Sequence, residues 1–296
     1  MHQIFKKDIN KDQGFTLVEL IVVIAITGIL AVGAVQFIRN PVQMYLDIEV
    51  RAALTDLADG SLRRISRGIE RALPNSVRVA GACTGTTDCL VEYIPIEQAG
   101  RYRAEVGSPD IRLPDNPLDF EFSGAGGDSF DVLGLSQGNC ANASACAKDL
   151  VIFNLGLPGA DAYEGSNRRT VTQITTDTTW TESVITFTGN RFPLASPSSR
   201  FYLVNQPVTF ACDVANGKLW RFANYGFATT QSSTVAAMDG LTDNYNSTLL
   251  AEKLSYCKIT YNLTNQRTGT LSIELSFSNN GANVRLMHQV RVMNSP

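Results

Sequence analysis

The sequence predicts an α+β protein: one long N-terminal helix, apolar over its first half, then a mostly antiparallel, β-rich domain. Three observations carry this. Residues 20–38 are 19 consecutive positions without a formal charge. Apolar residues at three- and four-residue steps continue the helical pattern to Leu73. Beyond it, short apolar stretches alternate with clusters of Gly, Pro, Asn and Ser, the signature of strands and turns.

Residues 1–14 are basic, with Lys6, Lys7 and Lys11 against Asp8 and Asp12. As a helix the uncharged run that follows would reach roughly 28 Å, enough for a bilayer core. Lysines on its N-terminal side favour a cytoplasmic N-terminus and an exported remainder. A cleavable secretory signal would have a shorter apolar core and a small-x-small site, whereas this run goes on to Ile38 and meets Arg39. Glu19 lies just inside the apolar stretch, where a central acidic residue costs about 2.5–3.5 kcal/mol. A plain anchor gains nothing from it.

Lys11-Asp12-Gln13-Gly14-Phe15-Thr16-Leu17-Val18-Glu19-Leu20-Ile21 closely resembles the processing site of type IV prepilins and of the pseudopilins of type II secretion. The resemblance implies a leader over 1–14, cleavage by prepilin peptidase between Gly14 and Phe15, N-methylation of Phe15, and Glu19 as the residue that guides assembly. In a helical bundle the Glu19 carboxylate of one subunit would neutralise the new α-amino group of a neighbour, so that each charge is paired in a low-dielectric setting. Loss of the leader would take the formal charge from −3 to −4. Either value argues against a nucleic-acid partner.

The spine is expected over 15–73, transmembrane over about 15–38. Tyr45, Ile48, Leu54, Leu57, Leu62, Ile65, Ile69, Ala72 and Leu73 form its apolar stripe. Arg51, Arg63, Arg64, Arg67 and Arg71 fall largely on the other face, interrupted by Asp47, Asp56, Asp59 and Glu70, and read as a solvated surface. Pro41 lacks a donor and crowds the carbonyl of Phe37, so a kink or a short melted stretch is expected there, and Pro74 is expected to stop the helix. Pilins share this layout, with the second half of the spine packed on a sheet.

From 74 to 296 a single β-rich domain is expected, with two subdomains dividing near 158–167 as the alternative. Strands are expected at 76–79, 90–96, 101–106, 118–122, 130–133, 150–154, 171–174, 183–188, 201–205, 208–212, 219–223, 256–262, 271–277 and 284–292. All six cysteines lie in the exported part and fit an oxidising compartment, although six allow fifteen connectivities. Cys83 and Cys89 flank a Thr/Gly loop and Cys140 and Cys146 an Ala/Asn loop, so each pair is expected to close locally, leaving Cys212 and Cys257 to join across strands. Their spacings are not those of a zinc site.

The stretches 63–77, 200–204, 212–222 and 284–292 resemble O-type minor pilins of the MSHA (mannose-sensitive haemagglutinin) pilus. The first also resembles J-type minor pseudopilins. The resemblance implies an inner-membrane subunit whose globular domain is periplasmic until assembly displays it at the cell surface. Its partners would be prepilin peptidase, the other minor pilins, the major pilin and the pilus assembly platform. The role implied is to prime assembly at or near the tip; a secretion pseudopilus subunit and a tip-displayed adhesin are the alternatives.

No enzyme is expected. Gly134-Leu135-Ser136-Gln137-Gly138 matches the nucleophile-elbow pattern, but a small cysteine loop follows it instead of a helix, and His288 sits in an alternating strand. No cofactor is expected. Asp239, Asp243, Asn244 and Asn246 gather oxygen ligands as a calcium loop would, without EF-hand spacing, and an Asx-rich turn accounts for them equally well.

Overall fold

A computed structural model describes residues 14–105, 116–120, 128–134, 138–177, 182–241, 246–265 and 268–296. Its first element, α1 (Leu17–Ile69), is 53 residues long, and helical backbone runs through Pro41. The helix is therefore shorter at both ends than the expected 15–73. Thr16 caps its start. At its end Arg71 N–H reaches Gly68 O (3.1 Å) and Ala72 N–H reaches Ile69 O (3.0 Å), tightening the chain into three-residue turns. Leu73 N–H then donates to Ile94 O at 2.8 Å, so the spine has already left the helix before Pro74, which disfavours helical backbone at the residue preceding it.

The chain forms two compact units, Met1–Ala52 and Ala53–Pro296. In the first, the described residues from 17 onward are helix, and the apolar side chains of Leu17–Val35, with Phe37, Tyr45, Leu46 and Ile48, are exposed. In the second, Leu54, Ala58, Leu62, Ile65 and Ile69 form a buried stripe at steps of four, four, three and four. Ser61 and Ser66 are buried on the same side, and their hydroxyls donate to Leu57 O and Leu62 O, so neither is left unpaired.

After the helix come β1 (Arg78–Gly81), β2 (Cys89–Tyr93), β3 (Ile96–Arg101), β4 (Asp128–Val132), α2 (Ala143–Cys146), β5 (Asp149–Ile152), β6 (Arg168–Asp177) and β7 (Glu182–Thr188). Then follow β8 (Arg200–Val204), β9 (Val208–Asp213), β10 (Lys218–Ala223), α3 (Val235–Asp239), β11 (Ser247–Glu252), β12 (Leu254–Asn265), β13 (Thr268–Asn279) and β14 (Ala282–Met293). They form an antiparallel five-stranded sheet β1-β2-β9-β10-β11, a three-stranded sheet β12-β13-β14 and a six-stranded sheet β3-β8-β5-β6-β7-β4. The chain is α+β with a pilin-like layout.

The six-stranded sheet closes on itself. Leu133 N–H donates to Arg101 O and Arg103 N–H to Asp131 O, both at 2.9 Å, bridging the strands at its two ends through Tyr102 and Val132. Closure pairs backbone groups that an open edge would leave bare. Period-two alternation fills the inside with Leu150, Ile152, Phe201, Leu203, Phe130 and Phe187 and turns Val151, Tyr202 and Val204 outward, against Leu73, Ile94 and Tyr163. The five-stranded sheet packs Leu90, Ala211 and Phe222 on Val235 and Met238 of α3. In β13, Leu271, Ile273, Leu275 and Phe277 are fully buried at every second position.

Ile94 and Pro95 are where the chain passes from one sheet to another. The expected strand 90–96 is broken there into β2 and β3, because Pro95 has no N–H for a ladder and bridges Ala72 at the end of the spine instead. Of the expected strand 101–106, whose last residue lies outside the described residues, Arg101 belongs to β3 and Tyr102 forms an isolated bridge, while 103–105 are irregular. Of the expected strand at 118–122 the described residues are irregular: Leu118 is apolar because it plugs the closed sheet, not because it pairs in it. β11 was not expected. Ser-Thr-Leu-Leu-Ala-Glu lacks the branched and aromatic enrichment of a strand, and it is an edge strand held by β10.

A buried ion pair crosses the five-stranded sheet. Arg78 Nε donates to Glu92 Oε2 (2.5 Å), and its other nitrogens donate to Thr229 O and Ala228 O. Tyr225 Oη donates to Glu92 Oε1 at 2.7 Å. Burial, with the Glu92 carboxylate adding to it, pushes the Tyr225 and Tyr163 hydroxyls well above the usual tyrosine range, so both stay protonated donors.

Candidate processing and assembly site

Gly14, Phe15 and Thr16 precede the helix in non-helical backbone, and Phe15 is 81% exposed. Thr16 accepts Leu20 N–H at its carbonyl (3.1 Å) and Glu19 N–H at its hydroxyl (3.3 Å), which makes it the N-cap. Thr16-x-x-Glu19 is the spacing of a capping box, a signal present in the sequence that the reading of Glu19 alone passes over. Only half of the box forms. Among the described residues nothing donates to the Glu19 carboxylate, which sits in the first turn, where the helix dipole favours an anion by about 0.3–1 kcal/mol.

Leu17–Val35 is long and apolar enough to cross a membrane, and its side chains are exposed. Thr27, a polar residue inside it, donates to Val23 O at 2.7 Å, so its hydroxyl is satisfied within the helix.

Three cystines close: Cys83–Cys89, Cys140–Cys146 and Cys212–Cys257. The first and third lie side by side. Cys89 and Cys212 are register partners in β2 and β9, and Cys257 N–H donates to Gly85 O, inside the Cys83–Cys89 loop. Gly85 has φ +109°, and a Cβ there would collide with the Tyr256 ring, so the close approach of the two cystine segments requires glycine. The third cystine joins the five-stranded sheet to the three-stranded one. Cys140–Cys146 closes on α2, whose N-cap Asn142 accepts Ala145 N–H.

His288 is exposed on β14 opposite Ile273, while Ser136 lies outside the described residues. So do Thr242, Asp243, Asn244 and Tyr245 of the candidate calcium loop; among the described residues no three His, Cys, Asp or Glu side chains gather as a metal site would require.

No curated protein and no solved structure matches the chain. The prokaryotic N-terminal methylation motif matches residues 9–35, which include Gly14, Phe15, Glu19 and most of the apolar run. The chain thus carries a type IV prepilin-like N-terminus, of the kind processed as pilins and pseudopilins are.

Proposed function

We propose that the chain is a minor pilin of an MSHA-type type IV pilus, made as an inner-membrane prepilin and incorporated at or near the tip to prime assembly. Prepilin peptidase cuts between Gly14 and Phe15 and Phe15 is methylated; Glu19 then pairs with the terminal amine of a neighbouring subunit. The observation that carries this reading is the first helical turn: Phe15 exposed ahead of the cap, and the Glu19 carboxylate unpartnered among the described residues one turn later. A new amine at Phe15 would lie at the positive end of the helix dipole, so a carboxylate partner relieves it twice. The bulk of the Ala53–Pro296 unit favours a terminal position over close lateral packing in a shaft.

Intact mass and N-terminal sequencing, with and without the peptidase, test the processing. A mature chain beginning at N-methylated Phe15 supports the reading; an uncut Met1 in the presence of active enzyme refutes it. For the role of Glu19, a Glu19→Gln chain should be cut normally yet enter filaments poorly, and normal incorporation would refute that role. Co-purification with secretion subunits instead of pilins would refute the assignment to a pilus.

A further inference from the structure

Within the Ala53–Pro296 unit, a cleft of about 600 Å³ opens between the end of α1 and the five-stranded sheet. Arg64, Arg67 and Arg71 line its helical side, and Arg221 of β10 stands among the sheet residues. Among the described residues none of the four has a carboxylate within ion-pair distance. The one acid in the lining, Glu97, is already engaged by Lys148 at 2.8 Å. Four guanidinium groups gathered on one cavity without internal counter-charges is an unfavourable arrangement for the free protein.

A second observation points the same way. Tyr93 is 4% exposed, lines the cleft, and its hydroxyl has no hydrogen-bond partner among the described residues. The ring is held by Phe210, stacked at 6.0 Å, and the hydroxyl is aimed at the bare backbone of Gly68, where a Cβ would collide with it. Burial pushes the hydroxyl above the usual tyrosine range, opposed by Arg221, so it remains a donor at neutral pH. Without a protein partner among the described residues, the hydroxyl is free to donate to a ligand oxygen in the cleft.

We propose that this cleft binds a compact ligand carrying two or more oxyanion groups, carboxylate or phosphate, with Arg64, Arg67, Arg71 and Arg221 supplying guanidinium forks and Tyr93 the donor at its floor. Guanidinium geometry matches both groups in bidentate fashion. The volume lies within the range of small-ligand sites, about 300–1,000 Å³. A nucleic-acid strand fits less well: base stacking needs an open aromatic face, and the rings of Tyr93 and Phe210 are buried.

The test is calorimetric titration of the full chain in detergent micelles with citrate, trigalacturonate, inorganic pyrophosphate, neutral maltotriose and a twelve-residue oligothymidylate. At least one compact anion should bind, more weakly as salt is raised, while maltotriose should not. The arm that binds names the source: trigalacturonate a uronate saccharide, pyrophosphate a phosphate-bearing group, citrate alone a free polycarboxylate. Arg64→Gln with Arg71→Gln should weaken binding by about tenfold. Tyr93→Phe and Asn205→Asp, which places an acid at the rim, should each weaken it further. Melting curves confirm that the variants fold. Silence of every compact anion, affinity indifferent to these substitutions, or oligothymidylate binding tighter than all three anions would overturn the proposal.

Discussion

Removing the Cys212–Cys257 cystine should destabilise the chain far more than removing Cys83–Cys89, although the two lie side by side. The sequence separations are 45 and 6. Chain entropy gives about 4 kcal/mol for the longer loop and about 2 kcal/mol for the shorter, a gap of about 2 kcal/mol. Packing widens it: Cys212 and Cys257 are both fully buried, whereas Cys83 is not, so paired alanines leave more unfilled space at the longer cystine. For a unit of this size about 4 kcal/mol corresponds to roughly 8–16 °C in Tm. The assay is urea unfolding of the full chain in detergent, comparing Cys212→Ala/Cys257→Ala with Cys83→Ala/Cys89→Ala. Emission of Trp220 is a suitable probe, since Trp220 pairs with Ala211, the neighbour of Cys212. A Cys83→Ala/Cys89→Ala chain as destabilised as the other, or more, would refute the account, because it would mean that the cystine joining two sheets constrains the chain no more than a local clip.

Gly68→Ala should cost about 1–3 kcal/mol by forcing a methyl against Tyr93 and Phe210, and Tyr93→Phe should return part of that loss in the double variant, read by urea midpoints. Glu92→Ala should cost about 3 kcal/mol, since it leaves the Arg78 charge without its carboxylate in a largely buried site and removes one of the two partners of the Tyr225 hydroxyl; circular-dichroism melting measures it. Asp128→Asn should raise Tm at neutral pH. Burial raises the Asp128 carboxyl above the usual carboxylate range, with Ser129 N–H opposing and Asp119 adding, and its Oδ2 is buried without a partner. A raised folded-state pKa means stability present at low pH and lost as pH rises, so the advantage of the amide should shrink as pH falls through the raised range and be gone below the ordinary carboxylate range.

The spine was legible because its signals are long and redundant: an uncharged run, a stripe at three and four, and a proline just past the end. Its termini were not, since Thr16 and the turns at Arg71 and Ala72 depend on individual hydrogen bonds. Strands with alternating or β-branched sequence, such as β7 and β13, stood out in the sequence, and all eighteen residues of the expected stretches 183–188, 208–212 and 271–277 fall in strands. Leu118 misled because an apolar plug and an apolar strand look alike in a short window. Closure of the six-stranded sheet left no local trace, since the bridge between Tyr102 and Val132 joins residues far apart in sequence. The arginines were legible as a face; their convergence with Arg221 on one cleft was not, because β10 brings that residue from the far end of the chain.

The end of the stretch 63–77 that resembles minor pilins and pseudopilins, residues 71–77, is largely dictated by the junction it makes. Arg71 O accepts Ile96 N–H and Leu73 N–H donates to Ile94 O, which ties the end of the spine to the crossing between two sheets. Pro74 O is buried at that junction and is satisfied by the side chain of Asn154, itself fully buried. Asn75 has φ +59°, a conformation that asparagine tolerates better than most residues, and its amide reaches Asn154 O and Asn294 O. Ser76 is buried there: its hydroxyl accepts Ile94 N–H and its carbonyl accepts the Tyr163 hydroxyl. Any chain that passes from a spine into such a junction faces the same demand for a proline stop, a left-handed asparagine and paired carbonyls. Likeness in 71–77 therefore reports the shared layout and does not separate a pilus subunit from a secretion pseudopilin. Side chains free of that demand can separate them, and the exposed guanidinium groups of Arg64, Arg67 and Arg71, which make no ion pair among the described residues, are the ones on which the two assignments should be compared.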